Sequence, residues 1–414
     1  MIDVLVFNDA VRDCVFGRWR PGGIWYSLHV LSGMGAAHGF VSRGSADDLS
    51  SLRQLPGHAC GLALLRPGTA EYVVFNPDEL LEQWTVRRHD YGDLTTAELE
   101  QTASFLSSCD TRAALVYPEY VNLLPYTRNS GVVAVDLQYL PPERWDGALE
   151  WATVVFGSEG VFRSSPGLVE KLMDWVRNKP GGVFVRRFGP GGSRIFTGGK
   201  VFDIAAFDIA LRDSVGAGDV YNAAFLAATI RGLSLRECGE VATAAAALHC
   251  DQCTDQVTDA GIQLIRAHAS RTFCPPEVRA GCRVYLAGPF FHEGQVLVID
   301  GIRALLRQHG FEVFSPMHDA GVSGLVSEDG LFARDVQALD VCDVVVAVLD
   351  GEDPGTMWEC GYACARGKPV IGYYTGTQFS CLNLMTRFGV EPGLTSNLKQ
   401  LLSAVMKICA AKRG

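Results

Sequence analysis

The stretch that most constrains this chain runs from Leu339 to Ala363 and reads LDVCDVVVAVLDGEDPGTMWECGYA. Val344 to Leu349 is a β-branched apolar run of the length and composition of a strand buried on both faces, as parallel strands are. A turn dense in acid, Pro and Gly follows, and then a helical pattern. Strand, acidic turn and helix place chemistry at the carboxyl end of a strand, where open α/β sheets bind ligands. Asp353 and Glu359 sit on opposite sides of that turn, so two carboxylates can converge on one ligand. Glycosyl transfer needs such a pair, one acid as nucleophile and one to handle the proton. The plainer reading is that Asp353 caps the helix and Glu359 is a solvated acid favouring the helix dipole. These residues alone leave both open.

A chain of 414 residues, 48% hydrophobic and 20% charged, predicts two or three globular domains. A net charge of -10 argues against a nucleic-acid backbone as partner and for small-molecule substrates. No apolar run is long enough to span a bilayer, and no signal segment precedes the first strand-like run. The thirteen cysteines are scattered through apolar segments, which predicts reduced, mostly buried thiols and a cytoplasmic location. His249, Cys250 and Cys253 form the one metal-like group, but no second pair lies at finger spacing, which favours core thiols.

Strand-like runs near Val4–Phe7, Ala114–Tyr117, Val132–Val135, Thr153–Phe156 and Val183–Arg186 alternate with helical stretches, predicting a largely parallel sheet in a domain 1–273. Gly57–Phe75 reads as a hairpin. Cys274-Pro-Pro-Glu277 predicts an extended linker over 274–281. A second alternating domain, 282–414, follows. In it a helix near Gln295–Gln308 precedes strands at Phe311–Phe314, Val344–Leu349 and Pro369–Tyr374.

The chemical centre of the first domain is RDSVGAGDVYNAAF, Arg212 to Phe225. A glycine-rich turn opening an apolar helix leaves backbone N–H groups facing outward, an anion hole suited to phosphoryl transfer. Asp219, just inside the helix, can take the proton of an attacking hydroxyl.

This string resembles the D-T-x-G-A-G-D signature of the ribokinase-like (PfkB) carbohydrate and nucleoside kinases. Asp13 with Gly22 and Gly23 resembles that family's sugar-binding region, and Phe188-Gly-Pro-Gly-Gly192 its nucleotide-side turn. The resemblance implies a ribokinase-like α/β fold and use of ATP and Mg2+. It implies Asp219 as base, Gly216, Ala217 and Gly218 as anion hole, and Asp213, Gly189 and Gly191 near the nucleotide. Ser27 stands where the family has Asn, and Glu159 is the one match to its N-x-x-E magnesium motif.

The last third of the chain resembles the nucleoside 2-deoxyribosyltransferases. Tyr285-Leu-Ala-Gly288-Pro-Phe290-Phe291, Phe314-Ser-Pro, Ala333-Arg-Asp335, the Asp353 to Glu359 pattern and Leu382-Asn383-Leu-Met385 match that family's segments in order. This likeness implies a smaller, flavodoxin-like doubly wound α/β domain. It implies Glu359 as nucleophile, Asp353 and Asp335 as supporting acids and Tyr285 in the catalytic pocket. Gly288, Phe290, Phe291, Asn383 and Met385 would bind substrate, the last two reaching a neighbouring subunit's pocket in a homo-oligomer. Together the likenesses imply a bifunctional enzyme of nucleosides or deoxynucleosides, nucleobases and pentoses, which cleaves or exchanges an N-glycosidic bond and phosphorylates a hydroxyl. The alternative is a glycosidase or transferase regulated by a kinase-like sensor.

Overall fold

The computed structural model describes residues 1–15, 18–74, 85–88, 91–165, 167–252, 257–320, 327–376, 378–390 and 392–412. They form two compact units, Met1–Arg271 and Thr272–Gly414.

The first unit is built on a nine-stranded sheet. From one edge its strands are Lys200–Ile204, Ser193–Thr197, Val183–Arg187, Val154–Ser158, Val132–Asp136, Thr111–Val116, Ile2–Phe7, His38–Gly44 and His58–Leu65. Pairing is parallel from Val183–Arg187 to the His58–Leu65 edge and antiparallel at the other. The strand Ile2–Phe7 shows why the expected runs became strands buried on both faces. Val4 and Val6 enter the core on one face, Leu5 and Phe7 that on the other, all at most 1% exposed. Truncating one such side chain to Ala typically costs about 2–5 kcal/mol.

A second sheet, in the order Arg18–Gly23, Ala10–Val15, Ala70–Val74 and Thr85–Arg88, stands apart from the first. Gly57–Phe75 is therefore not a hairpin. His58–Leu65 closes the large sheet parallel to His38–Gly44, whereas Ala70–Val74 pairs in parallel with Ala10–Val15 in the small one. The two strands expected there exist, but their partners lie in different sheets. Phe75 itself lies outside the described residues.

The second unit is a five-stranded, all-parallel sheet in the order Glu312–Phe314, Arg283–Ala287, Val344–Val348, Val370–Tyr373, Pro392–Thr395. In chain order this is 2-1-3-4-5, the flavodoxin-like doubly wound arrangement. Val344, Val346 and Val348 face one core, and Val345 and Ala347 the other.

Two expectations are corrected here. The Pro275-Pro276 pair does not make an extended spacer, because Pro276 opens a short helix, Pro276–Arg279, where proline's missing N–H is no loss. Arg279 and Cys274 are fully buried, and Cys274 belongs to the second unit's core. Nor are all thiols reduced: Cys282, at the head of the first strand of this unit, is disulfide-bonded to Cys409 on its last helix. Ten other described cysteines are free. Cys253 lies outside the described residues, and among those described no three His, Cys, Asp or Glu side chains gather as a metal site. No helix of the described residues is long and apolar enough to cross a membrane.

Candidate active sites

In the second unit, the strands Arg283–Ala287 and Val344–Val348 lie side by side where the strand order reverses. Tyr285, fully buried on the first, stacks on Phe314 at 5.5 Å and donates its hydroxyl to Glu359 Oε1 at 2.6 Å. Glu359 lies on the helix Pro354–Ala365, whose N-cap is Asp353. Asp353 Oδ2 accepts from the Thr356 N–H at 2.8 Å and from its hydroxyl at 3.0 Å. The capping reading of Asp353 is thus realised, through one of its two oxygens. Glu359, by contrast, is not a solvated acid. Burial pushes its carboxyl up to about 7 against the Tyr285 hydroxyl, and the charges of Asp335 and Asp353 add to the rise. Asp335, from the helix Glu328–Val341, is itself raised to about 6 by burial, and its Oδ1 has no hydrogen-bond partner. Tyr285, Glu359, Asp335 and Asp353 are therefore gathered. Their unspent oxygen atoms can receive a proton or face a developing positive charge.

At Gly288, just after the first strand of this unit, a Cβ would lie 2.5 Å from Ile299 and 2.9 Å from Val348, in the core opposite to that of Tyr285. Phe290 and Phe291 are 41% and 73% exposed and stack on each other at 5.7 Å, so they are not core residues. The Asn383 side chain is spent locally. It caps the helix Leu384–Gly389 through the Met385 N–H at 2.9 Å, while the Met385 side chain is exposed.

In the first unit, Gly216 is left-handed (φ +84°) and opens the helix Ala217–Ile230. A Cβ on it would lie 2.5 Å from the Tyr26 ring, so only glycine fits. The first-turn N–H groups of Gly218 and Asp219 have no acceptor within the helix, as at any helix start. Tyr117, following the strand Thr111–Val116, hydrogen-bonds Asp219 and also Ser27 at 3.3 Å. Burial pushes Asp219 up to about 7; Tyr117 and Arg187 oppose the rise, and Asp136 and Asp13 add to it. Arg187 braces this turn. Its Nη1 donates to Gly218 O and Asn222 Oδ1, both at 3.0 Å, and its Nη2 to Asp136 Oδ2 at 3.0 Å.

Residues 284–406 match the family model described as nucleoside 2-deoxyribosyltransferase, and residues 152–258 that of the pfkB family carbohydrate kinase. One chain carries a kinase-like and a deoxyribosyltransferase-like domain. The structural neighbours of the first are ribokinase-family kinases. A Methanocaldococcus jannaschii nucleoside kinase is 17% identical over 65% of this chain and 99% of its own, with a TM-score of 0.52. A Thermotoga maritima ribokinase is 16% identical over 65% and 100%, with a TM-score of 0.52. A protein described as a ribokinase II of E. coli, solved with ATP and Mg2+, is 16% identical over 65% and 100%, with a TM-score of 0.53. At these identities the likeness is one of fold. Among curated proteins, none matches the chain.

Several of the expected site residues of the kinase-like domain make contacts within the scaffold. Asp213 is paired with Arg20 at 2.6 Å and holds the Val215 N–H at 2.9 Å. Glu159 is 3% exposed and bound by Arg186 at 3.1 and 3.2 Å, so the carboxylate expected to hold magnesium already has a cation. Asp13 accepts from Tyr26 at 2.7 Å and lies over Gly22, where a Cβ would be 2.1 Å from its Oδ2. Gly23 turns the chain into the helix Ile24–Gly33 at φ +58°. Gly189, at φ +56°, and the buried Gly191 form a tight turn after Val183–Arg187, and neither touches Asp219 in any described hydrogen bond. Sequence reasoning missed Tyr117, Asp136, Arg187 and Asn222. Three of them share one signal, a polar residue closing an apolar strand run.

Proposed function

We propose that the deoxyribosyltransferase-like domain cleaves or exchanges the N-glycosidic bond of a nucleoside or deoxynucleoside by a retaining double displacement. The observation that carries this is the Tyr285–Glu359 bond of 2.6 Å set among Asp335 and Asp353. Ionised Glu359 attacks the anomeric carbon as the carbon–nitrogen bond breaks, giving a glycosyl-enzyme. The base departs with that electron pair and is protonated with help from Asp353, because a neutral base leaves far better than an anion. A second base or water then attacks, the ester to Glu359 breaks, and configuration is retained. The stretch after the first strand, Gly288 to Gly294, contains no Arg or Ser, which favours an unphosphorylated nucleoside.

The kinase-like domain would transfer a phosphoryl group to a sugar or nucleoside hydroxyl, with Asp219 taking the hydroxyl proton. The N–H groups of Gly218 and Asp219 fit the phosphates of ATP, which supplies the phosphoryl group. Glu159 does not fit a protein-held magnesium. Mg2+ usually keeps waters and phosphate oxygens with one or two carboxylates, so its place would be on the nucleotide. The Arg186–Glu159 pair also favours a second reading, in which this domain is a sensor whose ligand regulates the glycosidase. A cytoplasmic location fits the ten free thiols, and a homo-oligomer fits the exposed Leu384, Met385 and Phe388.

Mass spectrometry of the purified chain with a panel of nucleosides and deoxynucleosides, with and without ATP and Mg2+, tests both domains. Free base with a phosphorylated pentose or nucleoside is the expected result. Free base with no phosphorylated product selects the sensor reading, and no free base from any member of the panel overturns the first assignment.

A further inference from the structure

Glu352 is one of two non-glycine residues at positive φ among the described residues, at +45°. It directly precedes Asp353 in the turn Asp350–Glu352, and Gly351 before it is also left-handed, at φ +77°. A glutamate gains nothing locally from that backbone, which β-carbon crowding disfavours, and such strain persists only where the surroundings hold it. What holds it is visible. Glu352 Oε1 accepts from the Asn383 N–H at 2.9 Å and from the Thr386 hydroxyl at 2.6 Å. Thr386 also touches Met357 Sδ at 3.5 Å, on the helix that carries Glu359. One carboxylate oxygen thus fastens the head of the helix Leu384–Gly389 to the turn that presents Asp353. Both bonds are charge-assisted, and both are lost together if the carboxylate leaves.

We infer that Glu352 is a positioning residue, a clamp that sets the segment Asn383–Phe388 against the acid turn of the glycosyl-transfer site. This rests on the proposed nucleoside chemistry of that site. The clamp acts through its two partners rather than on the reacting atoms. It fixes where Met385 and its exposed neighbours Leu384 and Phe388 stand relative to Asp353, whether the ligand they face is bound by this chain or by a second copy. Its loss would therefore disturb binding more than chemistry.

The full chain carrying Glu352→Gly, Glu352→Ala or Glu352→Gln tests this. Glycine relieves the backbone and removes the clamp, alanine removes the clamp alone, and glutamine keeps an oxygen that still accepts both bonds. Nucleoside KM should rise about tenfold in the glycine and alanine variants with kcat within about twofold, while glutamine stays within about threefold of wild type. Amide hydrogen exchange at Asn383 should accelerate in the glycine variant and not in the glutamine one, with the glycine variant melting no lower than wild type. A merely structural role would not separate KM from kcat, nor be rescued by glutamine while glycine holds the melting temperature. An unchanged KM or an unchanged Asn383 exchange rate in the glycine variant overturns the clamp. If wild type releases no base from any nucleoside, the chemistry fails instead, and the exchange measurement still decides the clamp.

Discussion

The two candidate sites solve one problem with different charge balances. Each holds a half-buried carboxylate raised to about 7 and bonded to a tyrosine hydroxyl, Glu359 with Tyr285 and Asp219 with Tyr117. Around Asp219 the acids Asp136 and Asp13 are offset by Arg187. Around Glu359 the charged neighbours are Asp335 and Asp353, both acids. An acid cluster without an offsetting cation suits a reaction whose transition state gains positive charge on a sugar ring. A carboxylate beside an arginine and a helix N-terminus suits one that delivers an anion to a hydroxyl. The local device, a phenol on a carboxylate, is shared. What differs is the charge of the partner each site can tolerate.

The largest effect should come from exchanging the carboxylates for amides. Glu359→Gln is expected to cut base release by about a thousandfold or more while leaving ATP turnover intact, and Asp219→Asn to do the reverse by about 10²–10⁴. Chromatography of bases and phosphorylated products reads both. Loss of both activities from either change, in a folded protein, breaks the independence of the sites.

Removing the phenols should be milder and more telling. Each hydroxyl favours the ionised carboxylate, so Tyr285→Phe and Tyr117→Phe should move the alkaline-rising limb of their own pH–rate profile above its wild-type midpoint of about 7. A limb that stays in place means the phenol does not feel the carboxylate.

The smallest effect is on stability. Glu359 has a folded pKa raised above the ordinary 4.5, so its contribution is fully present below that pH and is lost as pH rises through about 7. Glu359→Gln should therefore stabilise the second unit at pH 8 by about 1–2 kcal/mol, allowing for partial exposure, and not at pH 4. Asp219→Asn should gain at least as much, because that carboxyl is raised to about 7 from a lower ordinary value of 3.8 even with Arg187 beside it. Thermal melts at the two pH values compare them.

Much of this arrangement was legible because chemistry and periodicity coincided. The run Val344–Leu349 declared a strand, the glycine and acid turn its end, and Glu359 stood at a fixed offset beyond. Gly216 was equally readable from the glycine-rich turn that opens an apolar helix, and its left-handed backbone against the Tyr26 ring is why it is glycine. What could not be read was partnership. Glu159 looked free until Arg186 reached it from the strand Val183–Arg187, and Asp213 until Arg20 reached it from almost two hundred positions away. The fifth strand, Pro392–Thr395, opens on a proline and has too little apolar pattern to declare itself, although an edge strand tolerates both.

That long reach of Arg20 has a temporal side. Asp13, Arg20 and Tyr26 leave the ribosome with the first strands, but their partners Asp213 and Gly216 and the carboxylate of Asp219 come some two hundred residues later. At about 5–20 residues per second, the amino-terminal half of the kinase-like site waits at least ten seconds for its other half. Through that interval the Tyr26 hydroxyl can already hold Asp13, but its ring still waits for Gly216. The residues from Tyr285 to Glu359 close their own site over a much shorter stretch of chain, so the later-made site is the quicker to assemble.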